Sequence, residues 1–332
     1  MNFWQKLPDG FTALAPMEDV TDVAFRLTVK KAGRPNVFFT EFTNTDSFCN
    51  PLGRRHTMSR LIHDQTETPI VAQIWGSRPE KFASSAKEIS KMGFDGIDIN
   101  MGCPAKDVIK TGGGSALIKN LNLAKEIITA AKTGSLPVSV KTRIGFNDFS
   151  NMNEWITFLL QQDISCLTVH LRTRKEMSKV PAHYDLIDRI TNLKKQIAPQ
   201  TKLVINGDIK DMQHIKLLKN QHPDVDGFMI GRGIFFNPFA FSNRTDRPSS
   251  RELIDLFNYH LDQFDKWQLV MPAQYSNNAE IKPAILRKFD PLKHFFKIYI
   301  KDFEGAKELR AKLYAAKNTN EVRTILNNIS NP

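Results

Sequence analysis

Short runs of Val, Ile, Leu and Phe recur along the chain, most of them nearly continuous rather than alternating with polar residues. They fall at Phe11–Ala15, Val37–Thr40, Ile70–Ile74, Gly96–Ile99, Val138–Val140, Cys166–Val169, Leu203–Ile205 and Phe228–Ile230. A strand with one wet face alternates; a strand covered on both faces does not, which is the mark of a parallel sheet. Longer amphipathic stretches separate the runs. Glu80–Met92 gathers Phe82, Ala83, Ala86 and Ile89 on one face and meets Gly93 as a stop. Leu123–Lys132 follows Asn122, a candidate cap, and Asn153–Gln161 and Asp211–Lys219 have the same character. Eight strands alternating with helices over about 240 residues predict a (β/α)8 TIM barrel. The competing fold, an open doubly wound sheet, usually carries a glycine-rich turn after its first strand, and Pro16-Met17-Glu18-Asp19 is not one.

The rhythm breaks at Asn243-Arg244-Thr245-Asp246-Arg247-Pro248-Ser249-Ser250, a polar stretch that reads as a linker. Beyond it the pattern is helical only, over Arg251–Phe264, roughly Ile281–Lys301, and Glu304–Ala316. The expected organisation is a barrel over residues 1–243 and a small helical domain over 248–332.

Composition alters this picture mainly through charge. The formal net charge is +11. That excess fits a polyanionic partner as well as it fits simple solubility. Three cysteines, Cys49, Cys103 and Cys166, are odd in number and widely spaced, so neither a disulfide framework nor a metal site is expected. No stretch approaches the ~18 apolar residues of a membrane span, and the first residues lack an apolar run of signal-peptide length. A cytoplasmic, monomeric protein is the expectation.

In a TIM barrel the chemistry sits at the C-terminal ends of the strands. The residues found there are Pro16 and Met17, Glu41, Gln73, Asn100 followed by Met101-Gly102-Cys103-Pro104, Lys141 with Arg143, His170 with Arg172, Asn206-Gly207-Asp208, and Gly231-Arg232-Gly233. Any one of them has a bland reading: a loop amide, a snorkelling lysine, a structural histidine. A nearly complete ring of polar groups on one rim favours function. Cys166 lies within an apolar run and reads as inert core, and Cys49 shows no recognisable chemistry. Cys103 sits in a Gly-Cys-Pro turn, with Thr111-Gly112-Gly113-Gly114-Ser115 a few residues on. A thiol there suits acid or nucleophile work, with the glycines as expected lid hinges. The last two strand ends offer glycines, backbone N–H groups and a guanidinium, which suits a phosphate. With Lys141 within reach of an electron-rich ring edge, FMN fits the rim.

Several of these motifs together resemble the tRNA-dihydrouridine synthase family. They are Ala15-Pro16-Met17-Glu18-Asp19-Val20-Thr21-Asp22 with Phe25-Arg26, Ala72-Gln73, Asp98-Ile99-Asn100-Met101-Gly102-Cys103-Pro104-Ala105, Gly113-Gly114-Ser115-Ala116-Leu117, Val140-Lys141-Thr142-Arg143-Ile144-Gly145, His170-Leu171-Arg172-Thr173-Arg174, Asn206-Gly207-Asp208-Ile209 and Ile230-Gly231-Arg232-Gly233. Glu18 and Leu171 depart from the commonest pattern, which favours a small residue and a glycine at those positions. The resemblance implies FMN held by Pro16, Met17, Glu18, Gln73, Lys141, His170, Asn206, Gly207, Asp208, Gly231 and Arg232. It implies NADPH or NADH as reductant, hydride delivery to C6 of a uracil ring in tRNA, and protonation of C5 by Cys103. Asn100, Arg143 and Arg172 are the expected substrate contacts in the barrel. The basic window Lys282, Arg287, Lys288, Lys293, Lys297 and Lys301, opposed only by Asp290, is a candidate phosphate track. The rival enzyme reading is a dihydroorotate-dehydrogenase-like flavoprotein acting on a free pyrimidine; the basic helical tail argues against it. The rival without catalysis is an RNA-binding protein on a retired barrel, against which Cys103, Lys141 and His170 argue.

Overall fold

The computed structural model describes residues 2–274 and 287–328, with only the backbone described over 269–274. Nine parallel strands form one sheet: β1 (Phe11–Leu14), β2 (Phe38–Phe39), β3 (Thr43–Asn44), β4 (Ile70–Trp75), β5 (Gly96–Met101), β6 (Val138–Gly145), β7 (Cys166–Thr173), β8 (Lys202–Asn206) and β9 (Gly227–Ile230). Their order is β1-β9-β8-β7-β6-β5-β4-β2, with β3 also on β4. The ring closes where Ala13 bridges Val37, through Leu14 N–H to Val37 O at 3.1 Å and Val37 N–H to Thr12 O at 3.0 Å. The expected run Val37–Thr40 holds β2, and β3 continues the same stave after a break. The break lets Glu41 turn into the interior, where it is fully buried.

Partnered residues in a parallel sheet face the same side, and successive residues alternate. Gln73 pairs with Asp98, Asp98 with Ser139, Asn100 with Lys141, Arg143 with His170, and His170 with Asn206. These residues form inward rows. The lower interior is apolar: Trp4, Phe11, Phe39, Val71, Cys166, Val204 and Met229 pack as a separate cluster. Trp4, on a capped helical turn over Phe3–Lys6, stoppers that end. The outward positions, such as Val140, Ile144, Leu167, Val169, Leu171, Leu203 and Ile205, join the larger core beneath the helices.

This alternation corrects the predicted strand ends. Lys141 and His170 were expected to close their strands, yet β6 runs on to Gly145 and β7 to Thr173. Polar residues at interior positions interrupt the apolar run without ending the strand.

Helices fall near their predicted places. Pro79–Ile89 is followed by Gly93 at φ 82°. The helix expected at Leu123 starts at Leu121, capped by the Asn120 side chain rather than Asn122. Asp211 caps Met212–Gln221. After the barrel, one helix runs Ser250–Gln274, ten residues beyond the predicted end. The single helix expected over Ile281–Lys301 is not formed in its described part. Asp290–Phe295 is a 3-10 turn and Phe296–Tyr299 a short α-helix, because Pro291 cannot continue an upstream helical hydrogen-bond ladder. Ala306–Ala315 and Thr319–Asn327 follow. The core is continuous from barrel to tail: the Phe25 and Phe295 rings pack, tilted, with centroids 4.7 Å apart, and His260 hydrogen-bonds the Tyr299 hydroxyl at 3.0 Å.

Candidate active site

At the C-terminal end of the barrel lies a cavity of about 670 Å³. It is lined by Pro16, Met17, Lys141, Arg143, His170, Asn206, Gly207, Asp208, Gly231 and Arg232, ten of the residues singled out from sequence. They come from five different strands and the loops behind them, which is the reason their proximity is invisible to local sequence.

Five basic groups, Lys141, Arg143, His170, Lys210 and Arg232, line this space. Lys141 Nζ donates to Asn206 Oδ1 at 3.1 Å, and Asn206 Nδ2 donates to Met229 O at 2.8 Å. Burial and the neighbouring Arg143 lower the Lys141 ammonium to about 8. Burial likewise lowers Arg143 to about 10, so it stays charged at neutral pH. Burial, then Arg143, Lys141, Arg172 and Arg232, hold His170 well below the usual imidazole range. His170 is therefore neutral. Arg172 Nη1 lies 3.2 Å from its Nε2. A guanidinium can only donate, so Nε2 accepts and the proton resides on Nδ1.

Asp208 organises the far wall. It accepts from Arg172, from Arg232 Nη2 at 3.1 Å and from Ala182 N–H at 3.0 Å. Gly207, at φ 127°, is a position where a side chain would be strained, and an added Cβ would lie 3.1 Å from His170 Cδ2. The Tyr184 hydroxyl donates to Gly207 O at 2.7 Å, a contact that sequence reasoning did not find. At Gly231 an added Cβ would point toward Ala15 and Met17, across the cavity wall.

Cys103 stands on an adjoining loop and does not line the cavity, but it is tied to it. Arg143 Nε donates to Gly102 O at 2.8 Å. Asn100 Oδ1 accepts from Gly102 N–H at 3.1 Å and Cys103 N–H at 2.9 Å. Burial pushes the thiol up, against the Ala105 N–H and Arg143, so it is protonated at neutral pH. The glycine run packs against this turn. Ser115 N–H bonds Cys103 O at 3.1 Å, and a Cβ on Gly114 would sit 2.7 Å from Val108 and 3.0 Å from Cys103 O.

Other expected site residues are placed differently. Gln73 and Asn100 lie in the barrel interior, beside the cavity wall. Glu18 is paired with Arg60, Nε to Oε1 at 2.7 Å, and does not line the cavity. Arg143 and Arg172 are 7% and 2% exposed and spend their donors on loop carbonyls, including Thr173 O, Met177 O and Val180 O. They brace the loops after β5, β7 and β8. Arg287 was expected to face RNA, but its guanidinium is inserted against the buried Glu41, and Gln268 clamps its backbone at 2.6 and 3.0 Å. Burial drives the Glu41 carboxyl up to about 7 although Arg287 pulls it down. Lys293 pairs with Asp290 at 3.0 Å and lies over Phe289. Lys288 and Lys297 are exposed, and Lys282 lies outside the described residues.

A closed parallel barrel with a basic cavity at the C-terminal ends of its strands has the architecture of a TIM-barrel enzyme. The sequence model of the family described as Dihydrouridine synthase matches residues 13–331, and the chain belongs to that family. It is an oxidoreductase of the flavin-dependent kind. It is 50% identical over 325 residues to a probable tRNA-dihydrouridine synthase 2 of Bacillus subtilis, covering 98% of this chain and 95% of that one. A probable tRNA-dihydrouridine synthase of Staphylococcus aureus is 49% identical over 325 residues, covering 98% and 94%. Among solved structures, a 6-hydroxypseudooxynicotine amine oxidase from Pseudomonas geniculata shares the fold, with a TM-score of 0.50 at 12% identity over 69% of this chain and 46% of that chain.

Proposed function

We propose that this enzyme reduces the C5–C6 bond of uridine in tRNA, using FMN and a nicotinamide cofactor, with Cys103 as the proton donor. The observation that carries the reading is the pairing of a cationic cavity with a protonated thiol on the adjoining loop. The donor set fits FMN. Arg232 and the backbone around Gly231 and Gly233 are the groups for a phosphate, with charge-assisted hydrogen bonds. Lys141 and the Nδ1–H of neutral His170 are the groups for an electron-rich ring edge. When bound, the flavin supplies hydride for C6 of the pyrimidine after reduction by NADPH or NADH.

The chain's own part begins with the base. A uridine inside folded tRNA must leave its stack to reach a barrel mouth, and Asn100, beneath the Cys103 turn, is our candidate to contact it. Cys103 then releases its proton to C5, and its raised pKa keeps it loaded for that step. Lys141, charged below about 8, offsets negative charge at the cavity wall. A tRNA substrate also accounts for the net charge of +11 and for cytoplasmic residence. The exposed Lys288 and Lys297 are the candidate phosphate contacts of the helical region 248–332. Mapping dihydrouridine in unmodified tRNA after incubation with the protein and NADPH tests the reading; tRNA left unchanged beside turnover of free dihydroorotate would replace it.

A further inference from the structure

Below the cavity, a chain of hydrogen bonds runs from one buried carboxylate to the Cys103 loop. Asp98 is fully buried in the barrel interior. Its Oδ1 accepts from Ser139 Oγ at 2.6 Å and its Oδ2 from Gln73 Nε2 at 2.7 Å. Gln73 Oε1 accepts from Asn100 Nδ2 at 3.0 Å. Asn100 Oδ1 in turn accepts the N–H groups of Gly102 and Cys103.

Burial raises the Asp98 carboxyl to about 6, so at neutral pH it is mainly ionised and accepts. A backbone N–H only donates. The orientation of both amides between them follows without any choice of flip. Were Gln73 reversed, its carbonyl would face the carboxylate and its NH2 would face the Asn100 NH2. Were Asn100 reversed, its NH2 would face two backbone donors. Either state leaves buried polar groups opposed or unpaired, which is costly in a low-dielectric interior.

We infer that Asp98 is a positioning residue: it orients Gln73 and Asn100 so that Asn100 Oδ1 holds the Cys103 turn over the barrel mouth. Asp98 does not line the cavity; it reaches the loop through the two amides and, separately, helps hold the charge on Lys141. Ser139 supports it from the neighbouring strand. The inference rests on the proposed role of Cys103 as proton donor, but the hold on the loop can be measured apart from that role.

The test compares Asp98→Leu, which removes the acceptors but keeps the branched skeleton, with Asp98→Asn. An asparagine can still offer its carbonyl to Gln73 and its NH2 to the Ser139 hydroxyl, so it restores the polarity without the charge. The probe is iodoacetamide, with alkylation of each cysteine followed by mass spectrometry. In Asp98→Leu, Cys103 alkylation should accelerate about tenfold, the size expected when one buried hydrogen-bond anchor is lost. Cys49 should keep its wild-type rate, and Asp98→Asn should recover most of the Cys103 protection. In single turnover, Asp98→Leu should slow uridine reduction while flavin reduction by NADPH stays within about twofold of wild type. An unchanged Cys103 rate in Asp98→Leu overturns the inference. So does equal impairment in Asp98→Asn, or a rise at Cys49 together with Cys103. Should Asp98→Leu not fold, Ser139→Ala carries the same test, with a Cys103 rate about threefold faster, and no change there overturns it too. Cys103→Ala is run alongside. If that variant still forms dihydrouridine, the proton-donor role falls, while the alkylation rates still decide what Asp98 does to the loop.

Discussion

Asp208 holds Arg232 at the mouth of the barrel, with Arg232 Nη2 3.1 Å from Asp208 Oδ1, while the Arg232 side chain remains 54% exposed. An ion pair so open to water adds little to stability, so its value lies in aiming the guanidinium. Arg232→Ala should leave the melting temperature near wild type and weaken FMN retention by about tenfold to a hundredfold, the range for losing a charge-assisted hydrogen bond. Flavin absorbance after gel filtration checks this. Full occupancy in the variant would remove Arg232 from the phosphate site, and FAD in the denatured supernatant would show a different cofactor.

The pH dependence follows from two neighbours on adjoining strands. Lys141 loses its charge above about 8, whereas His170 is neutral throughout the neutral range. Uridine reduction should therefore fall on the alkaline side with an apparent pKa near 8, and His170 should contribute no limb near 6.5. Rates of the uridine half-reaction between pH 5.5 and 9.5 decide this. Lys141→Met should show a low, flat alkaline profile. A His170→Asn variant that abolished a limb near 6.5 would contradict the neutral assignment.

Stability has a separate anchor. Arg26 is fully buried, donating to Glu67 at 2.6 and 3.2 Å, to Thr21 O at 2.7 Å and to Ile62 O at 2.7 Å. Removing the carboxylate strands a buried cation, at a cost of about 3–5 kcal/mol. Glu67→Ala should lower the melting temperature by on the order of 10 °C in a chain of this size. Thermal unfolding of the purified variant measures it.

For tRNA, the structure redirects the candidates. Arg287 belongs to the Glu41 contact and Lys293 to Asp290, while Lys288 and Lys297 are exposed and form no ion pair among the described residues. Lys288→Glu combined with Lys297→Glu should weaken tRNA binding and flatten its salt dependence, by about 0.7–0.9 in log–log slope per lost phosphate contact. Flavin content should not change. Gel-shift titrations at several salt concentrations would show an unaltered slope if these lysines only solubilise the helices. Arg287→Glu should instead destabilise the fold, since it opposes two carboxylates in a buried place.

The barrel was legible because continuous apolar runs such as Ile70–Ile74 and Leu203–Ile205 are what doubly covered strands require. The polar rim was legible because its residues follow those runs. What sequence concealed was side-chain direction and long-range pairing. Lys141 and His170 end an apolar run without ending a strand, since they occupy inward positions. Asp98, quoted within a motif without a role, acquires one only when Gln73 and Ser139 are brought beside it from neighbouring strands. Arg287 looked like a surface cation because nothing near it in sequence announces Glu41, 246 residues away.

The most direct measurement is an anaerobic single turnover with FMN-loaded enzyme pre-reduced by NADPH and mixed with unmodified tRNA, for wild type and for Cys103→Ala. The account predicts flavin reoxidation coupled to dihydrouridine in wild type. In Cys103→Ala it predicts normal flavin reduction by NADPH but uridine reduction slowed at least a hundredfold, within the usual range for a general acid. Dihydrouridine formed at the wild-type rate by Cys103→Ala, or none formed by the wild type, would contradict it.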